Sequence, residues 1–297
     1  MARRLRLDAE LVRRGMARSR AQAASLIASG RVEVRGLKAT KAATGVDGDT
    51  PVRVLDGNPR EYVSRGGYKL AGALSALPGI QVAGRRCLDA GASTGGFTDV
   101  LLRRAAAEVV AVDVGYGQLA WSLRTDPRVR VVDRTNVRSL TPEQIGGRVG
   151  LTVVDVSFIS LSVVLPALVA CTADDGDLLP MVKPQFEVGR ERLGSGGVVR
   201  DPALRAGAVV AVAERAAELG WGTAGIARSP LPGPSGNVEF FLWLRRDAQQ
   251  GDQQLDRAAI EREVHREADT ATLRDIGADR GVGADRGVGA DTAREWP

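Results

Sequence analysis

Two lysines and two carboxylates lie at the ends of predicted secondary-structure elements in this chain. Lys69 follows the glycines of SRGGYKL, while Asp155 and Lys183 each follow a predicted strand, in TVVDVSF and LPMVKP. Glu239 opens a final apolar run, VEFFLWL. A lysine accepts a proton only when it is neutral, a second cation nearby favours the neutral form, and carboxylates orient the amino groups. The set is therefore suited to proton transfer, although each residue alone is more often part of a surface salt bridge.

The stretch CLDAGASTGGFT, residues 87–98, is a second candidate for chemistry because an apolar strand runs through a glycine loop into a helix. This order is typical of the nucleotide crevice of a doubly wound sheet. Asp89 precedes the first glycine, and the loop lacks the full G-x-G-x-x-G spacing of a dinucleotide site. Because an anion repels phosphates but suits an ammonium group, the loop favours S-adenosylmethionine over a dinucleotide. A glycine turn in an ordinary α/β domain is the alternative.

Alternating apolar and helical segments predict the sheet that must position these residues. The first five strands are RRCLDAGA, EVVAVDV, VRVVDRT, LTVVDVSF and DLLPMVKP, and a long helix is predicted over 202–219. Two further strands, TAGIARSPL and VEFFLWLRR, have too few residues between them for a helix, so the last should insert as an antiparallel hairpin partner. The predicted fold class is α/β, a Rossmann-like, seven-stranded sheet. Its reversed last strand resembles that of the class I methyltransferases, which implies their fold. Asp113 ends its second strand, where a carboxylate can bind ribose hydroxyls in nicotinamide and S-adenosylmethionine enzymes alike.

The first 60 residues are basic and contain two predicted short helices. They hold 13 Lys and Arg against 6 Asp and Glu, a balance of +7, whereas the whole chain carries +5. Such a module attracts a phosphate backbone, although a solvated basic face is the usual alternative. Asp8 is expected to cap a helix that ends before Gly15, and Ser19 a second that ends before Gly30. Strand and turn signals follow in RVEVRG and KATKAATGV.

Two helices followed by a small β-turn region resemble the αL RNA-binding domain of a small-subunit ribosomal protein and of pseudouridine synthases. The resemblance implies a small α+β domain whose second helix and following loop lie against RNA phosphates. The candidates for RNA contact are Arg4, Arg6, Arg18, Arg20, Arg35, Lys41 and, in the segment that follows, Arg65.

The order Lys69, Asp155, Lys183, Glu239 on these elements resembles the tetrad of the FtsJ-type ribose methyltransferases. With the αL domain and the strings VSRGGYKL, DVGYGQLAW and PGPSGNVEFFLWL, the chain resembles the TlyA family over about residues 1–265. This resemblance implies methylation of a cytidine ribose 2′-hydroxyl in 16S and/or 23S ribosomal RNA of assembled subunits, with S-adenosylmethionine as the donor. Lys183 would be the base, Lys69 would position the hydroxyl, and the two carboxylates would orient the lysines.

Cofactor contacts and domain limits follow from the same resemblance. The implied contacts are Asp89, Gly91, Ala92, Ser93, Thr94, Gly95, Gly96, Phe97, Asp113, Asn136 and Asp155, with Asn136 near the adenine. We predict an RNA-binding domain over 1–60, a linker over 61–68 and a methyltransferase domain over 69–246. A helix and a Gly/Asp/Arg repeat that is expected to be disordered fill 247–297.

Composition argues against several other classes. The chain is 44% hydrophobic and 26% charged, close to the globular average, and it contains no apolar run of about 18 residues. We therefore expect a cytoplasmic monomer without membrane contact. One histidine, His265, and two cysteines are poor material for a metal site, so none is expected. Cys87, inside a strand, and Cys171, in a helix, are also badly placed to act as nucleophiles.

Two functions of other classes stay open. Relatives in the TlyA family often carry a haemolysin label, so a membrane-active haemolysin is the first, but it would need a span or a basic amphipathic helix that the sequence does not show. The second is a non-catalytic RNA-binding protein of the ribosome. Full methyl transfer by a Lys183→Ala variant would argue against the catalytic assignment.

Overall fold

The structure is a computed structural model that describes residues 4–17, 19–28, 30–55, 61–250 and 254–266. Three predictions therefore lie outside the described residues: the RNA contact of Arg18, the end of the first domain at 56–60, and the disordered repeat beyond 266.

The N-terminal module, residues 4–55, packs two short helices against small antiparallel strands. Its elements are β1 (Leu5–Arg6), α1 (Leu7–Arg13), α2 (Arg20–Ala28), β2 (Val32–Val34), β3 (Leu37–Lys38), β4 (Gly45–Val46) and β5 (Val52–Val54). Strand β1 pairs with β4, and β2 lies between β3 and β5. Leu7 and Leu11 lie one helical turn apart and are buried with Ile27 and Val32, so this module has a core of its own.

The predicted caps of the two helices have different outcomes. The Ser19 hydroxyl accepts a hydrogen bond from the amide of Gln22 (3.2 Å), as an N-cap does. The prediction for Asp8 is wrong, because β1 runs directly into α1 and leaves Arg6 at the cap position. Asp8 instead lies in the first turn, where its buried carboxylate accepts from the Ala9 amide and from arginine side chains.

The remaining described residues form one seven-stranded sheet with helices along the chain between its strands. The strands are β6 (Arg86–Ala90), β7 (Glu108–Val112), β8 (Val129–Val132), β9 (Val149–Val154), β10 (Thr172–Val182), β11 (Gly222–Arg228) and β12 (Phe240–Arg245). The helices are α3 (Arg65–Ala76), α4 (Gly96–Arg103), α5 (Trp121–Arg124), α6 (Pro142–Ile145), α7 (Leu161–Cys171), α8 (Pro184–Glu187), α9 (Pro202–Glu218) and α10 (Arg257–His265).

The strand order, β11-β12-β10-β9-β6-β7-β8, confirms the predicted sheet. Strands β6 to β10 are parallel, and β12 lies antiparallel between β10 and β11, as the short connection before it predicts. Successive residues face opposite sides of the sheet, so that Leu88 and Val110 enter one buried cluster while Cys87 and Val109 enter another. The carboxyl ends of β6 and β9 are adjacent, which brings the glycine loop beside Asp155.

The predicted linker over 61–68 is half helical. Helix α3 begins at Arg65, so the last four residues of that range form its first turn. The amide of Val63 donates to the Asp99 carboxylate in α4 (2.9 Å), and Tyr62 packs edge-on against Tyr68 with 5.1 Å between ring centroids. Arg103 lies over the Tyr62 ring and pairs with Asp99. The chain before α3 therefore packs against α4.

Candidate active site

Asp89 lies at the end of β6, fully buried, with its two carboxylate oxygens in different situations. One oxygen accepts hydrogen bonds from the Thr98 amide (2.9 Å) and hydroxyl (2.6 Å) at the start of α4. The other, Oδ1, has no hydrogen-bond partner among the residues that the structure describes. Burial, with a smaller contribution from the nearby Asp155 and Asp113, raises the pKa of Asp89 to about 7. A cation placed against Oδ1 would favour the charged carboxylate.

The glycine loop, residues 91–96, is shaped by close backbone approaches. Gly91 has φ +90°, and a side chain there would collide with the carbonyl oxygen of Asp155, so the loop touches the end of β9. Ser93 also has positive φ (47°), and its amide donates to Asp113 (2.8 Å). The other oxygen of Asp113 accepts from the Gly115 amide (2.7 Å). Asp113 thus ties the loop to the end of β7 and keeps one lone pair on each oxygen for a further donor.

A cavity of about 250 Å³ opens beside this loop. It is lined by Ser64, Arg65, Gly66, Lys69, Asp89, Gly91, Ala92, Ser93, Thr94, Gly96, Phe97, Asp155, Pro232 and Pro234. Most of the predicted cofactor contacts are therefore brought together at one cavity, with Lys69 and Arg65. Asp113 lies behind the loop, and Gly95 faces the apolar residues Leu119 and Leu123. Asn136 is not part of the lining, and its side chain caps a short 3-10 turn by accepting from the Arg138 amide.

The four residues of the predicted tetrad form two ion pairs. Lys69 Nζ lies 2.5 Å from Glu239 Oε2, and Lys183 Nζ lies 2.6 Å from Asp155 Oδ1. The two lysine side chains are 10% and 9% exposed, and that of Glu239 is 1% exposed. Lys69 comes from α3, Asp155 and Lys183 from the ends of β9 and β10, and Glu239 from the residue before β12. Four separate segments thus present two enclosed amino groups at the carboxyl edge of the sheet.

Two further side chains near Lys183, Ser157 and Glu187, were not singled out as site residues from the sequence, whereas the sequence offers Phe158 and Phe186 as rings that could stack on a target base. The Ser157 hydroxyl accepts from Lys183 Nζ (2.8 Å). Phe158 has φ +64°, is 91% exposed, and lies 5.2 Å from Phe186 between ring centroids. Glu187 accepts from the Ser160 hydroxyl (2.5 Å) and the Leu161 amide (2.8 Å). Ser157 stands in the string DVSF shortly after a site carboxylate, which is the only signal that the sequence gave for it.

The candidate RNA-binding residues of the N-terminal module are mostly exposed. Arg6 and Arg20 both pair with the buried Asp8, at 3.0 Å each, and keep about half or more of their side chains in solvent. Arg4 lies 3.9 Å from Asp47. Arg35 and Lys41 are exposed, and Arg35 has φ +53°. Arg65, in the segment that follows the module, lines the cavity at the start of α3.

Fold and site together define a class I methyltransferase. Residues 62–246 match the model of the FtsJ-like methyltransferases, and residues 5–52 match that of the S4 domain. The chain is 64% identical over 266 residues to the 16S/23S rRNA (cytidine-2'-O)-methyltransferase TlyA of Mycobacterium tuberculosis, covering 90% of this chain and 98% of that protein. It is 42% identical to the rRNA methyltransferase homologue YqxC of Bacillus subtilis, covering 92% and 97%. The chain belongs to the TlyA family of FtsJ-like methyltransferases, which confirms the family resemblance and the enzyme class.

A solved structure agrees with this assignment. A Streptococcus thermophilus protein that bears a hemolysin name is 35% identical, with a TM-score of 0.65 over 94% of this chain and 99% of that chain. A relative from Brachyspira hyodysenteriae is named Hemolysin A and is 35% identical over 80% of this chain and 98% of its own length. No helix among the described residues of the present chain is long and apolar enough to cross a membrane.

Proposed function

We propose that the chain transfers a methyl group from S-adenosylmethionine to the 2′-hydroxyl of a cytidine in ribosomal RNA. The observation that carries this proposal is the double Lys–carboxylate arrangement of Lys69, Glu239, Lys183 and Asp155 beside an acid-lined cavity. Nicotinamide chemistry gives no role to two enclosed lysines, whereas the transfer of a methyl group to a hydroxyl needs a base.

The cavity fits the proposed cofactor. S-adenosylmethionine carries an ammonium group and a sulfonium centre, and when bound it supplies an electrophilic methyl group. Asp89 offers a buried oxygen that has no partner within the described part of the chain, and Asp155 also lines the cavity. Asp113 keeps lone pairs for the ribose hydroxyls. Phosphates would meet two carboxylates in this lining, Asp89 and Asp155, so the electrostatics favour a cationic ligand over a dinucleotide.

Lys183 is proposed as the base. It must be neutral to accept the hydroxyl proton, and its nitrogen takes that proton as the ribose oxygen forms its new bond to carbon and the carbon–sulfur bond breaks. Lys69, held by Glu239, orients the ribose oxygen. Of the 41 basic residues only four are lysines, and two of these are the enclosed pair. An arginine could not replace Lys183 as a base, because its guanidinium stays protonated.

The RNA would be held by the N-terminal module and the target base by aromatic rings. The +7 balance of the first 60 residues and the exposed arginines near Asp8 suit a phosphate backbone. A base must leave its stack before its ribose can reach an enclosed lysine, and the exposed Phe158 beside Phe186 offers a face for it. The names of the relatives in Mycobacterium and Campylobacter, both cytidine-2'-O rRNA methyltransferases, support the same substrate.

The test is transfer of labelled methyl from S-adenosylmethionine to purified small and large ribosomal subunits. Wild type is compared with Lys183→Ala and Lys183→Arg, and the label is mapped by resistance of the modified ribose to hydrolysis. Loss of label by a factor of about 100 or more in both variants, with unchanged RNA affinity, is expected for a missing base. Full transfer by Lys183→Arg would contradict base catalysis by this residue, and an absence of ribose label in wild type would contradict the proposed reaction.

A further inference from the structure

The amino group of Lys183 is held from two sides. Asp155 Oδ1 lies 2.6 Å from Nζ and Ser157 Oγ lies 2.8 Å from it, and both partners come from the segment that follows β9. The lysine and the aspartate side chains are 9% and 26% exposed, whereas Ser157 is exposed. The serine is therefore a second acceptor that meets the nitrogen from the solvent side.

Two fixed acceptors define the direction of the lone pair on a neutral amine nitrogen, because the other three tetrahedral positions hold Cε and the two hydrogens. In the neutral amine two N–H bonds can point at Asp155 and Ser157, and the lone pair then occupies the remaining direction. With Asp155 alone, the lone pair and one N–H would exchange by rotation about the terminal carbon–nitrogen bond. Placement of the reacting lone pair is the kind of orientation that affects the rate of a proton transfer.

We propose that Ser157 is a positioning residue that aims the lone pair of Lys183 at the substrate hydroxyl. This inference rests on the proposed function, because it assigns Ser157 to the same proton transfer. Ser157 does not itself take the proton, which passes from the ribose oxygen to Lys183 Nζ.

The segment that carries Ser157 is fixed on both sides of it. Asp155 directly follows β9, and the Glu187 carboxylate accepts from Ser160 and Leu161 at the start of α7. Phe158, next to Ser157, keeps a positive φ of 64°, a conformation that non-glycine residues adopt only when their surroundings impose it. Lys183 directly precedes the short helix α8 and Glu187 is its last residue, so this helix links both sides of the contact. A serine hydroxyl on such a segment is placed precisely enough to orient an amine.

The test compares Ser157→Ala with Ser157→Thr in the labelled-methyl assay. We expect Ser157→Ala to lower kcat about tenfold, the effect of one lost hydrogen bond in the transition state, with KM for RNA and cofactor affinity unchanged. Ser157→Thr keeps the hydroxyl and should recover most of the rate. Ser75→Ala is the matched control. Ser75 lies on α3, and its exposed hydroxyl also accepts a hydrogen bond from a basic side chain, that of Arg104 (3.3 Å). It should keep the wild-type rate.

The outcomes separate this inference from the proposed function. Wild-type kcat in Ser157→Ala would overturn the inference while leaving the methyltransferase reaction in place. A threonine variant that folds with a wild-type melting temperature yet is as slow as the alanine variant would also overturn it. An absence of ribose label with the wild-type protein would contradict the proposed function itself, independently of the serine variants.

Discussion

The N-terminal module and strand β6, which leads into the glycine loop, each contain a buried carboxylate. The two carboxylates differ in whether a basic side chain lies against them. Glu10, on α1, is fully buried and accepts from the guanidinium groups of Arg13 and Arg14. Those hydrogen bonds lower the pKa of Glu10 to about 2. Asp89 is buried without a basic partner among the described residues, and desolvation raises the pKa of its carboxyl group to about 7. One region therefore keeps its acid charged, and the other holds an acid that titrates near neutrality.

This difference separates acids that stabilise the fold from Asp89, the acid that we propose binds the cofactor. Arg14 also donates to the backbone carbonyls of Asp47, Gly48 and Thr50, so Glu10 and its arginines fasten the turn before β5. Asp89 has no such network, since only Thr98 occupies one of its oxygens. A buried charge without a cation is unfavourable unless a ligand supplies one. The unpaired acid is thus expected to gain its partner when the cofactor binds.

Among the variants that test this comparison, Asp89→Asn is expected to have the largest effect, a loss of cofactor affinity. Asparagine keeps an oxygen for Thr98 but presents an amide in place of Oδ1, so a charge-assisted bond to the cofactor ammonium is lost. The dissociation constant of S-adenosylmethionine should rise by about 10- to 100-fold, corresponding to a loss of about 1.5–3 kcal/mol. Isothermal titration calorimetry measures this.

The control for that variant is Asp177→Asn, which changes a buried acid that already pairs with Arg85 and Trp243. It should lower the melting temperature and leave cofactor affinity unchanged. Asp89→Asn should lower cofactor affinity and leave the melting temperature unchanged, because no ion pair is broken in the free protein. Equal cofactor affinity of wild type and Asp89→Asn would remove the distinction between the two kinds of acid.

The second prediction concerns pH. Asp89 has a raised pKa, so the free protein carries it protonated below about 7, and the contribution of this group to folding is lost as the pH rises from about 4 toward about 7. Cofactor affinity should change the other way, rising up to about tenfold per pH unit between pH 5.5 and 7 as the carboxylate forms. Calorimetric titrations across this range check it. A wild-type profile as flat as that of Asp89→Asn would show that Asp89 does not bind the cation.

Much of the sheet could be predicted from the sequence, because buried parallel strands appear as short apolar runs and the brief LPGPSGN connection requires a hairpin. The pairing of Lys69 with Glu239 across 170 positions follows from that topology once both lie at the carboxyl edge of the sheet. Asp89 was also recognisable, because an acid at the end of an apolar strand, two residues before a glycine loop, is a local pattern.

Other parts of the site depend on loop paths that no periodicity encodes. Ser157 meets Lys183 only because the chain after β9 turns through a left-handed Phe158, an unusual conformation for an aromatic residue. Glu187 contributes through a contact with the start of α7, and its position at the end of α8 gives no indication of that contact. The role of Asp8 was misjudged because a strand enters α1 without a connecting residue, which moves the cap position to Arg6.

The third prediction addresses the paired acids. Glu10→Gln should destabilise the folded protein by about 1–2 kcal/mol, because two charge-assisted contacts become neutral while the arginines keep part of their exposure to solvent. Since its pKa is lowered, the contribution of Glu10 is present above about pH 4.5 and is lost as the pH falls toward 2. Urea unfolding at pH 7 measures the difference. Unchanged stability would mean that the arginines hold the turn without the acid.

The smallest effect is expected at the exposed edge of the N-terminal module. Asp8 is buried and holds Arg6 and Arg20, whose outer faces remain in solvent, so each arginine can meet one RNA phosphate. Arg20→Ala should weaken RNA binding about threefold at physiological salt and reduce the slope of log affinity against log salt by about 0.9, with kcat at saturating RNA unchanged. Filter binding across a salt series measures both. The half-buried, paired Arg215 on α9 offers the control variant Arg215→Ala, which should leave the slope unaltered. A fall in kcat without a change in slope would show that Arg20 acts in the catalytic step and not in RNA binding. The proposed division between exposed arginines that bind RNA and enclosed lysines that transfer the proton would then be wrong.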